Sequence, residues 1–273
     1  MGERKDYKDK LIEKGRMNEG NFKKRGQVAI FVIIALVIVG IVIVFLAVPK
    51  LRPAFISGEL NPGDYLRTCI SPIIKSNVEN LSRHGGDFNP EGFILYKDEK
   101  IKYLCYTSQY YQTCTNQMPL LKAHFELELG KALDKRAKDC VASLKQEYES
   151  RGYSVSSGGV KTDVSISPKK IEILFSTPMT VTKEESKTYK SFNVEYNSEI
   201  YDLLLISQSI VEFESTLGDM DIESYMQYYP NLRIEKIRLS DGSKIYKVGD
   251  VVTGETITFA TRSLAWPAGY GLV

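Results

Sequence analysis

The chain is 273 residues long, 43% apolar and 26% charged, with a formal net charge of +2. That near balance excludes the basic stripe on which phosphate-backbone binding depends, so nucleic acid is not an expected partner. The two histidines, His84 and His124, lie far apart in sequence, which excludes the H-x-x-x-H and H-E-x-x-H metal motifs.

Residues 1–26 hold nine cations against five acids, a net charge of +4, which leaves −2 for residues 27–273. Val28 to Val48 then reads VAIFVIIALVIVGIVIVFLAV, 21 residues without a charge, an amide or a hydroxyl. At about 1.5 Å per residue the run spans roughly 32 Å, the thickness of a hydrocarbon core. It is longer than the apolar region of a secretory signal peptide, and Ala47 before Val48-Pro49 makes a poor cleavage site. A transmembrane helix is therefore expected over 27–48, with membrane lipid as its partner. The basic flank puts residues 1–26 in the cytoplasm and the rest of the chain outside, because Lys and Arg are retained on the cytoplasmic side. Anionic lipid at the membrane surface accounts for the tail's cations.

Beyond the membrane, Pro49, Pro53, Pro62 and Gly63 interrupt any helix and mark 49–63 as a stalk. Asp64 is expected to cap a helix to about Arg83, with Leu66, Cys69, Ile70, Ile73, Ile74, Val78 and Leu81 at helical spacing. Pro72 kinks it or moves its start, and Gly85-Gly86 stops it. FILY (93–96) and IKYLCY (101–106) flank the polar KDEK as a hairpin. A longer helix is expected from Pro119 to about Ser150, with Leu120, Leu121, His124, Leu127, Leu133, Ala137, Cys140, Val141, Leu144 and Tyr148 along one side. From Tyr153 the period changes to two, through VKTDVSIS, KIEILFSTPMTV and KSFNVEY, which predicts antiparallel strands. Ser198 caps a further helix whose stripe runs Ile200, Leu203, Leu204, Ile210, Val211 and Leu217, and Gly218 ends it. Residues 232–262 return to strand, with a turn at Asp241-Gly242. The fold class is α+β: helices packed on antiparallel sheets, in a membrane-proximal helical part (64–152) and a β-rich part with one long helix (153–273).

All four cysteines, Cys69, Cys105, Cys114 and Cys140, follow the apolar run, as expected for disulfides in an exported domain. Three pairings are possible. Cys69 and Cys140 fall on apolar faces of predicted helices, while Cys105 closes a strand and Cys114 follows in the next loop, which favours Cys69 with Cys140 and Cys105 with Cys114. A four-thiolate zinc site is the rival, but no close C-x-x-C pair occurs.

Catalytic signals are thin. No G-x-S-x-G, P-loop or G-x-G-x-x-G is present, so no catalytic residue, cofactor or metal set is assigned. Asp219, Asp221 and Glu223 alternate as in a calcium loop, yet the Gly and distal Glu of an EF-hand are missing, and an acidic helix start explains GDMDIES equally well. Tyrosines cluster at YLCYTSQYY and SYMQYYP, where sheet and core packing is the expected use and a binding surface the alternative. Asn80-Leu81-Ser82 is an N-glycosylation sequon, and the apolar end, Trp266 to Val273, can dock on the fold or on a partner.

Lys24-Arg25-Gly26-Gln27, followed at once by the apolar run, resembles the class III signal of archaeal type IV pilin-like proteins. The resemblance implies cleavage by a prepilin peptidase after Gly26, with Gln27 as the new N-terminus of a helix that packs into a filament or holds the subunit in the membrane. Phe31 stands where many pilins carry a Glu, at the fifth mature position. The whole chain also resembles a group of uncharacterised exported proteins of small-genome archaea, through Gln27-Val28, Cys69, Gly85-Gly86 and Cys140. The expected role is a membrane-anchored envelope protein that acts by binding or assembly, a pilin-like subunit that self-assembles or contacts other surface proteins. A monotopic adhesion domain is the alternative, and a cell-surface enzyme the third reading.

Overall fold

The computed structural model describes residues 32–39 and 60–267. Residues 32–39 are helical with exposed side chains. The rest of the apolar run, the basic tail, Gly26-Gln27 and most of the stalk lie outside the described residues. Among the described residues no helix is long and apolar enough to cross a membrane.

Residues 60–267 belong to one compact unit. Its first helix, α1, spans Pro62–Arg83. It starts inside the expected stalk: Asn61, not Asp64, is the N-cap, and its Oδ1 accepts from the Gly63 N–H at 2.9 Å. Pro62 fits the first turn, where its missing N–H costs nothing. Leu66, Ile70, Ile74, Val78 and Leu81 are buried along one face, and Pro72 is carried within the helix on its exposed side. Gly85 and Gly86, at φ 71° and 94°, turn the chain out of the helix, and the Gly86 N–H closes onto the Leu81 carbonyl at 2.8 Å.

Strands β1 (Phe93–Tyr96) and β2 (Glu99–Tyr106) form the expected hairpin, but β2 starts two residues early. Lys97 and Asp98, both at positive φ, make its two-residue turn. A two-residue strand, β3 (Thr115–Asn116), follows. Helix α2 (Leu121–Ser150) begins two residues after Pro119 and buries Phe125, Leu129, Leu133, Leu144 and Tyr148. Leu120 and Leu127, expected on that face, are 73% and 56% exposed, Leu120 because it stands at the N-cap before the first turn.

The small sheet contains β4 (Ser154–Ser157), β5 (Lys161–Ser167), β6 (Lys170–Thr182) and β7 (Ser186–Asn197). The long β6 pairs with β4 and β5 along one edge and with β7 along the other, all antiparallel. Its register with β7 shifts between Ser176 and Met179, where Pro178 has no N–H to give the ladder. Helix α3 (Ile200–Thr216) crosses to α4 (Glu223–Tyr228), then β8 (Leu232–Arg238), β9 (Ser243–Asp250) and β10 (Thr256–Arg262) complete the large sheet. Leu217, expected in the α3 stripe, is exposed.

The large sheet runs β1-β2-β10-β9-β8, with β3 on β2. Its centre corrects the expectation of purely antiparallel sheets: β10 pairs with β2 in parallel. The second and last strands of the unit thus meet at its middle, and one core runs from α1 and α2 through both sheets and α3. A small second cluster of Ile101, Ile245 and Ala260 covers the other face of the large sheet.

Candidate functional site

Both disulfides are present in the favoured pairing, Cys69–Cys140 with Cα atoms 6.0 Å apart and Cys105–Cys114 at 5.4 Å. The first ties α1 to α2. The second closes residues 106–113 into a loop at the end of β2. Backbone bonds pin that loop to the residues after β10: Leu264 N–H to Gln112 carbonyl at 2.8 Å, and Tyr111 N–H to Ala265 carbonyl at 3.0 Å. The Arg262 guanidinium donates to the Thr107 carbonyl at 2.6 Å and lies over the Tyr110 ring at 5.3 Å.

This bracing leaves the loop's rings no core to enter. Tyr106, Tyr110, Tyr111 and Trp266 stay between 39% and 53% exposed. Trp266 meets Tyr111 edge to face at 4.9 Å, and Tyr103 supports Tyr106 at 4.9 Å. In the second tyrosine cluster, Tyr228 and Tyr229 are exposed as well, while the Tyr225 hydroxyl bonds to Ser209. For these five tyrosines the expectation of core packing is corrected: they lie at the surface.

The acidic run at 219–223 does not converge on a cation. Asp219 faces Lys236 at 3.2 Å, Arg238 at 2.6 Å and Lys244 at 3.1 Å. Burial pushes its carboxyl up, but Lys244 and Lys236 outweigh that and hold it below the ordinary carboxylate value. Asp221 accepts from the Ser224 hydroxyl and the Glu223 N–H. Among the described residues no three His, Cys, Asp or Glu side chains stand together as a metal site.

Behind Asp219 lies an ion pair that the sequence analysis missed. Glu214 is fully buried and Lys244 nearly so, with Nζ 2.7 Å from Oε2. The other oxygen, Oε1, accepts from the Tyr246 hydroxyl at 2.5 Å and the Met220 N–H at 3.0 Å. Burial first, then Glu214, pushes the Tyr246 hydroxyl far above its usual value. A signal was available: Glu214 continues the Ile210–Val211 stripe of α3, an acid on an apolar face. His124, also expected on an apolar face, is partly exposed, and its Nε2 bonds to Asp87 Oδ1 at 2.9 Å while Lys102 holds the other oxygen. Burial raises the Asp87 carboxyl, but hydrogen bonds from Lys102 and His124 outweigh it and leave Asp87 lowered.

Asn80 is exposed on α1, whereas Ser82 of the same sequon is buried and its Oγ has no hydrogen-bond partner. Ser82 borders a cavity of about 690 Å³ between the end of α1, the β1–β2 turn, the β7–α3 junction and the β9–β10 turn. Glu255 closes one side, accepting from the Ser198 hydroxyl at 2.8 Å and the Glu199 N–H at 2.5 Å. Glu199, not the expected Ser198, is the N-cap of α3 and makes no side-chain cap bond; the Ser198 Oγ, one residue earlier, accepts from the Ile200 N–H at 3.2 Å.

Comparison of the chain with protein-family models, with curated proteins and with solved structures finds no match.

Proposed function

We propose that this chain is a single-pass membrane-anchored envelope protein whose exported domain acts by binding or assembly, with the disulfide-closed aromatic loop as its contact face. The observation that carries the reading is the exposure of Tyr106, Tyr110, Tyr111 and Trp266 on a backbone held by Cys105–Cys114 and by the chain after β10. Rigid, exposed aromatic rings are the residue types that dominate protein contact surfaces, because they bury a large area at small entropic cost. Two disulfides downstream of a 21-residue apolar run support an oxidising, extracytoplasmic setting.

The first form of the proposal is a pilin-like subunit, processed between Gly26 and Gln27 and assembled with copies of itself. The second is a monotopic recognition domain, favoured by Phe31 in place of the pilin Glu and by the size of the head. Sequencing of the mature N-terminus separates them: Gln27 supports processing, Met1 a plain anchor. Protease shaving of intact cells should remove epitopes placed after Pro62 and spare those before Lys24. A photo-crosslinker at Tyr111 should then trap a second copy if the chain assembles, or another surface protein if it recognises one. A protected C-terminal epitope refutes the topology, and the absence of any adduct refutes the contact face.

A further inference from the structure

The cavity beside Ser82 is a separate place from the aromatic loop: Glu99 and Tyr106 stand at opposite ends of β2, roughly 23 Å apart at about 3.3 Å per residue. What distinguishes it is polar groups without protein partners. Ser82 is 3% exposed and its Oγ is unpaired. Thr258, 8% exposed, also borders the cavity, and so do Tyr196 and Asn197; none of their side chains has a hydrogen bond. Buried polar atoms are normally satisfied, so the Ser82 Oγ, which shares this space with the Thr258 hydroxyl, the half-buried Tyr196 and the exposed Asn197, calls for a ligand that satisfies it.

Charge narrows the class. Five cations and four carboxylates line the cavity. Lys75, Arg83 and Lys169 each face a carboxylate at 3.8 to 3.9 Å, and Glu255 is held by Ser198 and the Glu199 N–H. Lys247, which pairs in register with Thr258 on the same face of the sheet, has no ion pair or hydrogen bond from its ammonium. Lys97 Nζ lies over the Tyr96 ring at 5.3 Å, so Lys247 is the one lining cation that meets neither a carboxylate nor a ring, among hydroxyl, amide and carboxylate groups. An apolar ligand does not suit so polar a lining, and a bare inorganic anion would accept from Lys247 and the hydroxyls but has no donor to offer the four carboxylates. A ligand that carries one carboxylate and several hydroxyls, which both donate and accept, matches every element. The Tyr196 ring in the lining offers a flat apolar face for the C–H face of a sugar ring.

We propose that this cavity is a binding site for an acidic sugar, its carboxylate on Lys247 and its hydroxyls on Ser82, Tyr196, Asn197 and Thr258. The test is calorimetric titration of the full-length chain, held in a detergent without a sugar headgroup, with glucuronate, glucose and inorganic phosphate. Saturable binding of glucuronate is expected, about tenfold or more tighter than either of the others, since each lacks one half of the recognised chemistry. Lys247→Ala should weaken glucuronate about tenfold without lowering the melting temperature, because Lys247 has no protein partner to lose. Ser82→Ala should weaken it several-fold. Absence of saturable heat with glucuronate, equal binding of glucose or phosphate, or an unchanged affinity in Lys247→Ala would each overturn the assignment.

Discussion

Replacing Glu214 by Ala tests whether the Glu214–Lys244 pair holds the large sheet to α3. The substitution removes the acceptor of the Tyr246 hydroxyl, the Met220 N–H and the Lys244 ammonium at one stroke. Lys244 keeps Asp219 and the Gly218 carbonyl, but its nearest counter-charge is gone in a place where water does not reach. Breaking one side of a buried pair costs about 3–5 kcal/mol, most of it from the charge left behind. For a folded unit of this size that is roughly a 6–20 °C fall in melting temperature. Replacing both partners, Glu214→Leu with Lys244→Met, removes the stranded charge and should recover at least half of the loss, since a hydrophobic pair of similar volume is often no worse than a buried ion pair. Urea unfolding of the wild type, the single and the double variants measures all three. A loss under about 1 kcal/mol in Glu214→Ala, or a double variant as unstable as the single, would refute the reasoning.

Breaking Cys69–Cys140, which closes 71 residues, should cost about 4 kcal/mol in the chain-entropy model, against about 2 to 3 for the nine-residue Cys105–Cys114 closure; denaturant titration of paired Cys→Ser variants gives the order. The Asp87 and Asp219 carboxyls are lowered in the folded state, so their contribution is present above the unfolded value near about 4 and is lost as pH falls through their folded values. The stability of Asp87→Asn/Asp219→Asn should accordingly differ from wild type at pH 6 and converge on it only as pH falls below the two lowered folded values, which acid unfolding curves would show. Gly218→Ala should cost more than about 1 kcal/mol by melting, because Gly218 sits at φ 86° and an added Cβ would overlap the Leu264 side chain.

The sequence by itself determined the local elements and the disulfide framework. Helical spacing placed α1, α2 and α3, alternation placed the long strands, and both cysteine pairs followed from the helix faces and the hairpin that carry them. These features are local because a helix stripe, a Gly-Gly stop or a two-residue turn depends on residues only a few positions apart. Boundaries drifted where two caps competed: Asn61 displaced Asp64 because its side chain reaches the first free N–H groups, while Asp64 lies already inside the first turn. What tertiary structure alone decided is long-range. The parallel pairing of β2 with β10 joins residues more than 150 positions apart, and nothing in either strand's alternation names its neighbour. That pairing also lays the chain after β10 beneath the disulfide loop, which is why its tyrosines face outward and not into the core. The polar cavity follows the same rule. Ser82, Tyr196, Lys247 and Thr258 come from four separate elements, and each looks unremarkable until the fold sets them around one space.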